Sequence, residues 1–156
     1  MLYQENKEYI CIGTVKGLVS VYGIDIILKA ARIVYTECPN VPLRVRIAGK
    51  EWRNMGGAVM PSRQEAFGVS AVEARACGTL VIISDIPGLK EATCPFITSL
   101  LISQYTVNEF ANGIIKLYDH TNLIERMRSN EVKYANKKFE YEKCFRRIET
   151  NLERYR

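Results

Sequence analysis

The chain has 156 residues, 47% of them hydrophobic and 25% charged, which is typical of one soluble globular domain with a sizeable core. It contains no run of about 18 apolar residues, and its start lacks the basic stretch and long apolar core of a signal peptide. Five cysteines, an odd number without a CxxC pair, indicate reduced thiols in a cytoplasmic setting. They argue against a disulfide framework and against a zinc site.

The net charge is +5, and the segment 131–156 carries much of it, with eight basic and five acidic residues giving +3. Apolar residues recur there at spacings of three and four, which predicts a long amphipathic C-terminal helix with a solvated charged face. We expect no nucleic acid partner, because the sequence has neither an aromatic stacking platform nor a recognisable binding motif. A weak contact with anionic lipid at the inner face of the membrane remains an alternative for this basic segment.

The predicted elements alternate between strands and helices, which is typical of an α/β fold with a parallel sheet flanked by helices. Strands are predicted at 8–15, 43–47, 59–60, 80–84 and 96–102. Helices are predicted at 24–37, 68–77 and 106–119, with another from 122 and the long C-terminal one. A tight turn is predicted at 85–88 because it combines Asp, Pro and Gly.

Apolar periodicity gives each predicted helix an inward face. In the first helix these residues are Ile27, Leu28, Ala31, Val34 and Tyr35. In the second they are Val69, Val72 and Ala76, with Glu73 lying off that face. In the helix at 106–119 they are Val107, Phe110, Ile114, Ile115 and Tyr118, and Thr106 with Glu109 resembles a capping box. Trp52 is predicted to be a core residue, although it could line a base site.

The stretch 59–91 contains one strand, loop, helix and strand, with its polar residues at the end of the first strand. Glu65 lies in the loop and Glu73 about one turn inside the helix, and open α/β sheets bind ligands at this strand end. The first turn of the helix offers main-chain amides to an anion, and Gly68 lets a ligand approach closely. Carboxylates accept hydrogen bonds from paired sugar hydroxyls. Together these features suit a sugar linked through phosphate to a nucleoside.

The same stretch, PSRQEAFGVSAVEARACGTLVIISDIPGLKE, resembles the E-x7-E signature of family 4 retaining glycosyltransferases. In that family the signature lies in the C-terminal, donor-binding domain of the GT-B fold. The resemblance implies that residues 1–156 form one Rossmann-like, nucleotide-sugar-binding domain. It also implies a hexosyltransferase that needs neither a metal nor another cofactor, and whose N-terminal acceptor domain is absent from this chain.

The resemblance further implies a role for each site residue. Glu65 would be the catalytic residue that holds the donor sugar. The donor-binding residues would be Lys16, Phe67, Gly68, Val69, Ser70 and Glu73, the last of these on the ribose. Lys16 is assigned to the diphosphate because Thr14 and Tyr22 stand where the family most often has Arg and Lys.

The family usually has another strand and helices between Gly49 and Pro61, and this chain does not. We expect a segment to be missing near 54–57, either deleted or simply not included. A strand lost from the middle of a sheet would expose hydrogen-bonding groups, which favours the second explanation.

Two other functions remain open on the sequence. A non-catalytic module that binds nucleotide sugars would show binding without turnover. A generic flavodoxin-like interaction domain would bind no nucleotide and would tolerate the loss of Glu65 or Glu73.

Overall fold

A computed structural model of the chain describes residues 9–47, 52, 55–93, 99–119, 125–127 and 129–130. Its strands are β1 (Ile10–Thr14), β2 (Leu43–Ile47), β3 (Gly57–Met60), β4 (Leu80–Ser84) and β5 (Ser99–Ile102). Its helices are α1 (Ile24–Glu37), α2 (Val69–Ala76), α3 (Pro87–Ala92) and α4 (Val107–Asp119), with a short 3-10 turn at Ser20–Tyr22. The predicted C-terminal helix, and with it the lipid contact, lies outside the described residues.

The five strands form one parallel sheet in the order β2-β1-β3-β4-β5. The predicted α/β fold with a Rossmann-like parallel sheet is therefore confirmed. Of the helices described, none is long and apolar enough to cross a membrane.

Two apolar clusters cover the two faces of the sheet. On one face α1 and α4 pack over Ile12, Val59 and Ile82. On the other face α2 and α3 pack over Met60 and Ile83. Trp52 belongs to this second cluster and is 4% exposed, so its prediction as a core residue is confirmed.

The inward face predicted for α2 is correct only at Val72, which is half-buried and packs against the second cluster. Val69 is 58% exposed and Ala76 is also exposed, whereas Ala71 and Ala74 are fully buried against the sheet. Glu73 lies on the exposed side with Val69. Alanine brings the helix close to the strands, and this close packing outweighs the larger apolar area of the valines.

The faces predicted for α1 and α4 are correct only in part. Leu28 and Tyr35 are 51% and 72% exposed, while Ile24, Ile26 and Ala30 are buried instead. In α4, Tyr118 is 42% exposed, and its neighbour Leu117 occupies the core. Because β2 is an edge strand, the side of α1 above it meets no neighbouring helix among the described residues.

The tight turn predicted at 85–88 is instead the entry to α3. Pro87 is the first residue of that helix, a position whose N–H has no partner within the helix, so proline costs no helical hydrogen bond. At α4, the Glu109 N–H donates to Thr106 Oγ1 over 3.2 Å, which is one half of the predicted capping box.

The missing segment near 54–57 stays a prediction. Among the described residues β1 pairs directly with β3, through Ile12 with Gly57 and Gly13 with Ala58, so the middle of the sheet is closed. The strand next to this junction in sequence, β2, is an edge strand.

Candidate functional site: the loops after β1 and β3

The candidate site lies where the sheet changes direction. From β1 the chain crosses to β2 on one side, and it later returns to β3 on the other side of β1. The loops after β1 and β3 therefore leave in opposite directions and open a crevice between them. Open α/β sheets bind ligands at such a point.

Two residues predicted for the site meet in this crevice. Lys16 follows β1, Glu65 follows β3, and Lys16 Nζ lies 2.6 Å from Glu65 Oε2. Their side chains are only 10% and 14% exposed. Such a short, largely buried pair is held more firmly than a surface ion pair, because little water screens it. A cation and a carboxylate are thus presented together at the strand ends.

Lys16 has a second neighbour in the loop after β1. Its Nζ lies 4.9 Å from the ring centroid of Tyr22, within the range of a cation–π interaction. Tyr22 belongs to the 3-10 turn, which ends at Gly23 with a φ of 65°. Tyr22 therefore helps to hold the Lys16 ammonium in place.

Close packing against α3 fixes the position of Glu65. A Cβ on Gly88 would overlap with the carbonyl oxygen of Glu65, and it would lie 2.8 Å from the carbonyl carbon of Ala66. Gly68 has a φ of 77°, and a Cβ there would lie 2.8 Å from Leu89 Cδ2. Glycine is thus required at Gly88 by the neighbouring backbone, and at Gly68 by its left-handed conformation.

The start of α2 directs main-chain amides into the same region. Gly68 caps the helix, and its carbonyl accepts from the Ala71 and Val72 amides. Within the described residues, the N–H groups of Gly68, Val69 and Ser70 have no acceptor. Unpaired N–H groups at a helix start bear partial positive charge and bind anions.

A set of contacts that the sequence did not indicate ties the two loops together. The Arg63 guanidinium donates to the Ser20 carbonyl, and the Arg63 N–H donates to the Val21 carbonyl over 2.8 Å. The same guanidinium lies 3.3 Å from Asp25 Oδ2 at the start of α1. Hydrogen bonding to Arg63 is the main reason that the pKa of Asp25 lies below its usual value of 3.8.

Tyr105, which precedes α4, contacts the loop after β3 from the other side. Its hydroxyl donates to the Pro61 carbonyl over 2.5 Å, and its ring lies 5.4 Å from Arg63 Cζ. Burial raises the pKa of the Tyr105 hydroxyl, and the nearby Arg63 charge offsets part of that rise. Gly23 packs on the same carbonyl, since a Cβ there would overlap with the oxygen of Pro61.

The serine and threonine side chains around the strand ends are buried. Ser84 Oγ donates toward the carbonyls of Met60 (3.1 Å) and Ser62 (2.8 Å), which joins the ends of β3 and β4. Among the described residues, Thr14 Oγ1 and Ser62 Oγ are buried without a hydrogen-bond partner. Thr14 ends β1 two residues before Lys16. Buried hydroxyls without a partner are uncommon in proteins.

The remaining predicted residues line the start of α2. Phe67 and Ser70 are half-buried on either side of Gly68 and Val69. Glu73 lies further along α2 and is exposed, and no hydrogen bond or ion pair joins it to Glu65 or Lys16 in the described part of the chain. The site therefore has a compact part around Lys16, Glu65 and the α2 amides, and Glu73 lies outside it.

Sequence reasoning missed Arg63, Asp25, Tyr105 and the packing role of Gly88. The contact of Arg63 with Asp25 joins residues 38 positions apart, and that of Tyr105 with Pro61 joins residues 44 apart, so no local sequence pattern indicates them. The one available signal was that Arg63 lies within the stretch that resembles the signature. Chemically, the compact part can accept a dianion on amides and an ammonium group, and hydroxyls on a carboxylate.

Comparison with curated proteins gives matches that cover part of this chain. Over 76 residues it is 36% identical to a D-inositol 3-phosphate glycosyltransferase of Paenarthrobacter aurescens, an alignment that covers 49% of the chain and 19% of that protein. Over 105 residues it is 34% identical to the protein of the same name from an Arthrobacter species, covering 67% of the chain and 23% of that protein. The aligned part is thus less than a quarter of either relative.

Solved structures match nearly all of the chain at low sequence identity. Anabaena HepE in complex with UDP superposes with a TM-score of 0.79 at 17% identity, covering 93% of this chain and 49% of that one. Sucrose-phosphate synthase from Thermosynechococcus elongatus gives 0.79 at 21%, covering 95% and 46%. These matches establish a shared fold, and the chain spans about half the length of each structure.

The family description "Glycosyl transferases group 1" matches residues 53–134, which is more than half of the chain and includes α2 and Glu65. The Lys16 loop precedes the matched range, whereas the structure joins it to that range through the ion pair. The chain belongs to the family of group 1 glycosyl transferases.

Proposed function

We propose that this chain is the donor-binding domain of a retaining family 4 glycosyltransferase that uses a nucleotide sugar. The whole enzyme would move a hexose to a glycan or lipid acceptor in the synthesis of a polysaccharide or glycoconjugate. The observation that carries the proposal is the meeting of Lys16 with Glu65, beside the unpaired amides that start α2. The solved neighbour from Anabaena, whose structure contains UDP, supports a nucleotide donor.

Each group has a defined task in the proposed reaction. The amides of Phe67, Gly68 and Val69, with Lys16, would bind the diphosphate and stabilise the charge that develops as it leaves. Glu65 would accept hydrogen bonds from the sugar hydroxyls and orient the anomeric carbon. Ser70 would add a donor at the helix start.

Glu73 would bind the ribose hydroxyls from the second turn of α2. Its exposure leaves it open to a ligand that extends along the helix from the diphosphate. The proposed reaction calls on no metal and no other cofactor. An N-terminal domain supplied elsewhere in the whole protein would hold the acceptor, which attacks on the face that the diphosphate leaves.

The ion pair has a consequence for donor binding. Lys16 and Glu65 neutralise each other when no donor is present, so a diphosphate has to draw Lys16 at least partly away from the carboxylate. That rearrangement frees Glu65 to accept from the sugar. Sugar and diphosphate binding are therefore expected to be coupled through this pair.

A thermal-shift panel of UDP-, GDP- and ADP-sugars tests the proposal. At a hundred times its Kd, a ligand that binds only the folded chain adds about 2.7 kcal/mol, or a rise in Tm of about 5–10 °C at this size. We expect one nucleotide class to give that rise, and Glu65→Gln and Lys16→Met to abolish most of it. Lys116→Met, which removes an exposed lysine of α4, is the matched control and should keep the rise.

Two outcomes would count against the proposal. If none of the nucleotide sugars raises Tm, the chain is not a donor-binding domain. If the rise survives both site variants, the nucleotide binds elsewhere. Binding that never leads to transfer, even when an N-terminal domain is added, would identify a non-catalytic nucleotide-sugar-binding module.

A further inference from the structure

The loop between β1 and α1, residues 16–22, is attached to the rest of the protein mainly by polar contacts. None of its residues is buried, and Leu18 and Val19 are 80% and 55% exposed. Among the described residues, its hydrogen bonds to distant parts of the chain run to Glu65 and Arg63 of the loop after β3. Segments with few buried apolar contacts open easily. The position of Lys16 in this loop therefore depends on these two residues.

Arg63 fixes the 3-10 turn Ser20–Tyr22 through the carbonyl that closes it. The Ser20 carbonyl accepts from the Gly23 N–H over 3.1 Å, which closes the turn, and it also accepts from the Arg63 guanidinium. The next carbonyl, that of Val21, accepts from the Arg63 main-chain N–H over 2.8 Å. One residue therefore binds two consecutive carbonyls of the turn that contains Tyr22.

The Arg63 guanidinium is itself held by two further groups. It lies 3.3 Å from Asp25 Oδ2, at the start of α1, and 5.4 Å from the centre of the Tyr105 ring. A planar guanidinium can bind a carbonyl and a carboxylate at once, which the single ammonium of a lysine does less well. Because the donors and the charge of Arg63 are engaged within the protein, we expect it to position other groups rather than to bind a ligand itself.

Tyr22 connects the turn to the candidate site. Lys16 Nζ lies 4.9 Å from the centroid of the Tyr22 ring and 2.6 Å from Glu65 Oε2. A diphosphate competes with the carboxylate for the ammonium. The ring carries no charge that competes in this way, so the cation–π contact can persist when the ion pair opens. Tyr22 is then the contact that sets where the ammonium lies beside a bound donor.

One short segment after β3 holds both ends of this arrangement. Arg63 and Glu65 are separated by a single residue. Glu65 contacts the ammonium, and Arg63 contacts the turn whose ring lies next to that ammonium. Gly23, which follows the turn, packs against the same segment, because a Cβ there would overlap with the carbonyl oxygen of Pro61. The two loops therefore hold Lys16 between two fixed points.

On the basis of the proposed function, we propose that Arg63 is a positioning residue for the diphosphate of the donor. By fixing the Ser20–Tyr22 turn, it keeps the Tyr22 ring beside the Lys16 ammonium. Without its guanidinium, the exposed turn keeps only the main-chain bond from residue 63 to Val21, and the ring moves away from Lys16. Diphosphate binding then weakens, although every group assigned to the ligand is still present.

The position of Lys16 is measured first without a ligand, by NMR of the full chain labelled with ¹³C-lysine. The ring current of Tyr22 should shift the Cε–H protons of Lys16 upfield, and Tyr22→Leu should remove that shift. We expect Arg63→Met to remove most of it, whereas Arg32→Met, which removes an exposed arginine of α1, should leave it unchanged. The Arg63 side chain is 42% exposed, so the variant should fold. Full retention of the shift in Arg63→Met would overturn the proposal.

The second measurement is the Kd of UDP, GDP or ADP, whichever binds the unaltered chain most tightly, by isothermal titration calorimetry. We expect Arg63→Met to weaken diphosphate binding about tenfold, a factor that a cation–π contact can supply. Binding of the corresponding nucleoside, which has no phosphate, should change less than about twofold. In the Lys16→Met background, Arg63→Met should have no further effect, because it acts through Lys16. Arg32→Met should bind as the unaltered chain does.

The combined results separate positioning from the other roles of an arginine. Equal weakening by Arg63→Met with and without Lys16 would overturn the proposal, because Arg63 would then act on the ligand itself. Equal weakening of nucleoside and diphosphate would also overturn it, since the effect would be one on the fold. If no diphosphate binds the unaltered chain, the proposed function fails and the role toward the diphosphate fails with it. Loss of the NMR shift in Arg63→Met would still show that Arg63 positions Lys16.

Discussion

At the scale of single residues, Lys16 and Glu65 form a contact that neither side chain could keep alone. Each is nearly buried at the end of a different strand, and each neutralises the other over 2.6 Å. Removing one partner leaves the other as a poorly hydrated charge, whereas removing both leaves two neutral groups. The two residues should therefore behave as a unit.

A double-mutant cycle tests that coupling in the absence of any ligand. We expect Lys16→Met and Glu65→Gln each to lower the free energy of unfolding by about 1–3 kcal/mol. The double variant should lose less than the sum, with a coupling of about 0.5–3 kcal/mol, measured by denaturant titration. Strict additivity would mean that the pair does not form in solution.

The glycine that seats Glu65 gives a second prediction at this scale. Gly88→Ala forces a methyl group into the Glu65 and Ala66 carbonyls, so the loop or α3 has to shift, at a cost of about 1–3 kcal/mol. Gly17→Ala, in the loop after β1, is the matched control because its nearest heavy atom would lie 3.9 Å away. In thermal melts, Gly88→Ala should have a lower melting temperature than Gly17→Ala. Equal melting temperatures would contradict the packing described at Gly88.

The sequence predicted many of the residues that form the candidate site, but it did not predict which of them contact one another. The roles of Lys16 and Glu65 came from motif and resemblance, but the two lie 49 positions apart, so their pairing depends on the order of the strands. Gly88 was noted only as part of a pattern. Its reason, a carbonyl pressed against its Cα, is a tertiary contact that sequence spacing does not encode.

At the scale of elements, the loop after β3 is tied to α1 through Arg63 and Asp25. The pKa of Asp25 is lowered chiefly by Arg63, so the ionised carboxylate stabilises the fold above its ordinary pKa of 3.8. That contribution is lost as the pH falls through the lower pKa of the folded state. The carboxylate is largely exposed, so the effect is small.

We therefore expect Asp25→Asn to flatten the decline in stability between about pH 4 and pH 2. The measurement is the free energy of unfolding by denaturant titration at several acidic pH values. Lys29→Met, which removes the other basic neighbour of Asp25 at 3.5 Å, should change the decline less. A steeper decline in Asp25→Asn would have the wrong sign for a carboxylate stabilised in the fold.

Tyr105 supports the same loop from the side of α4. Tyr105→Phe removes its bond to the Pro61 carbonyl and should cost about 1 kcal/mol at neutral pH. Because burial raises the pKa of Tyr105, the neutral phenol stabilises the fold and that stability declines as the pH rises above about 10. The variant should lose less stability than the unaltered chain on the alkaline side, and an identical alkaline decline would contradict this.

The helices show where periodicity succeeds and where it fails. The extent of α1 and α4 was predicted to within a residue or two, since both have long apolar patterns and clear stops. The buried face of α2 was predicted only in part: Val72 packs against the core, but Val69 is exposed, and Ala71 and Ala74 lie closest to the sheet. Which stripe of an eight-residue helix meets the sheet depends on how closely the backbone approaches, and apolarity alone does not decide it.

At the scale of the whole molecule, two neighbouring parts of the sheet present different chemistry. The crevice between β1 and β3 holds the Lys16–Glu65 pair and the α2 amides, whereas the edge strand β2 exposes Arg44 and Arg46. The parallel sheet was predictable from the alternation of elements. The strand order was not, because sequence neighbours β2 and β3 are separated in space by β1.

The proposed division of labour gives a prediction for the isolated chain. It should bind a nucleotide sugar and transfer none, because the acceptor has no site without an N-terminal domain. Radiolabelled sugar transfer to glycan and lipid acceptors is the measurement, with donor hydrolysis recorded in parallel. Sustained transfer by the purified 156-residue chain would show that it holds the acceptor as well.

The central claim is that a phosphate-linked sugar binds against the amides at the start of α2, beside Lys16 and Glu65. Titration of the isotopically labelled chain with the best nucleotide sugar, followed by amide NMR shifts, tests it most directly. We predict that the largest amide shifts fall on Gly68, Val69 and Ser70. The Lys16 amide should shift over the same range of ligand concentration. Saturable binding that leaves those amides unmoved and shifts another part of the sheet would contradict the account.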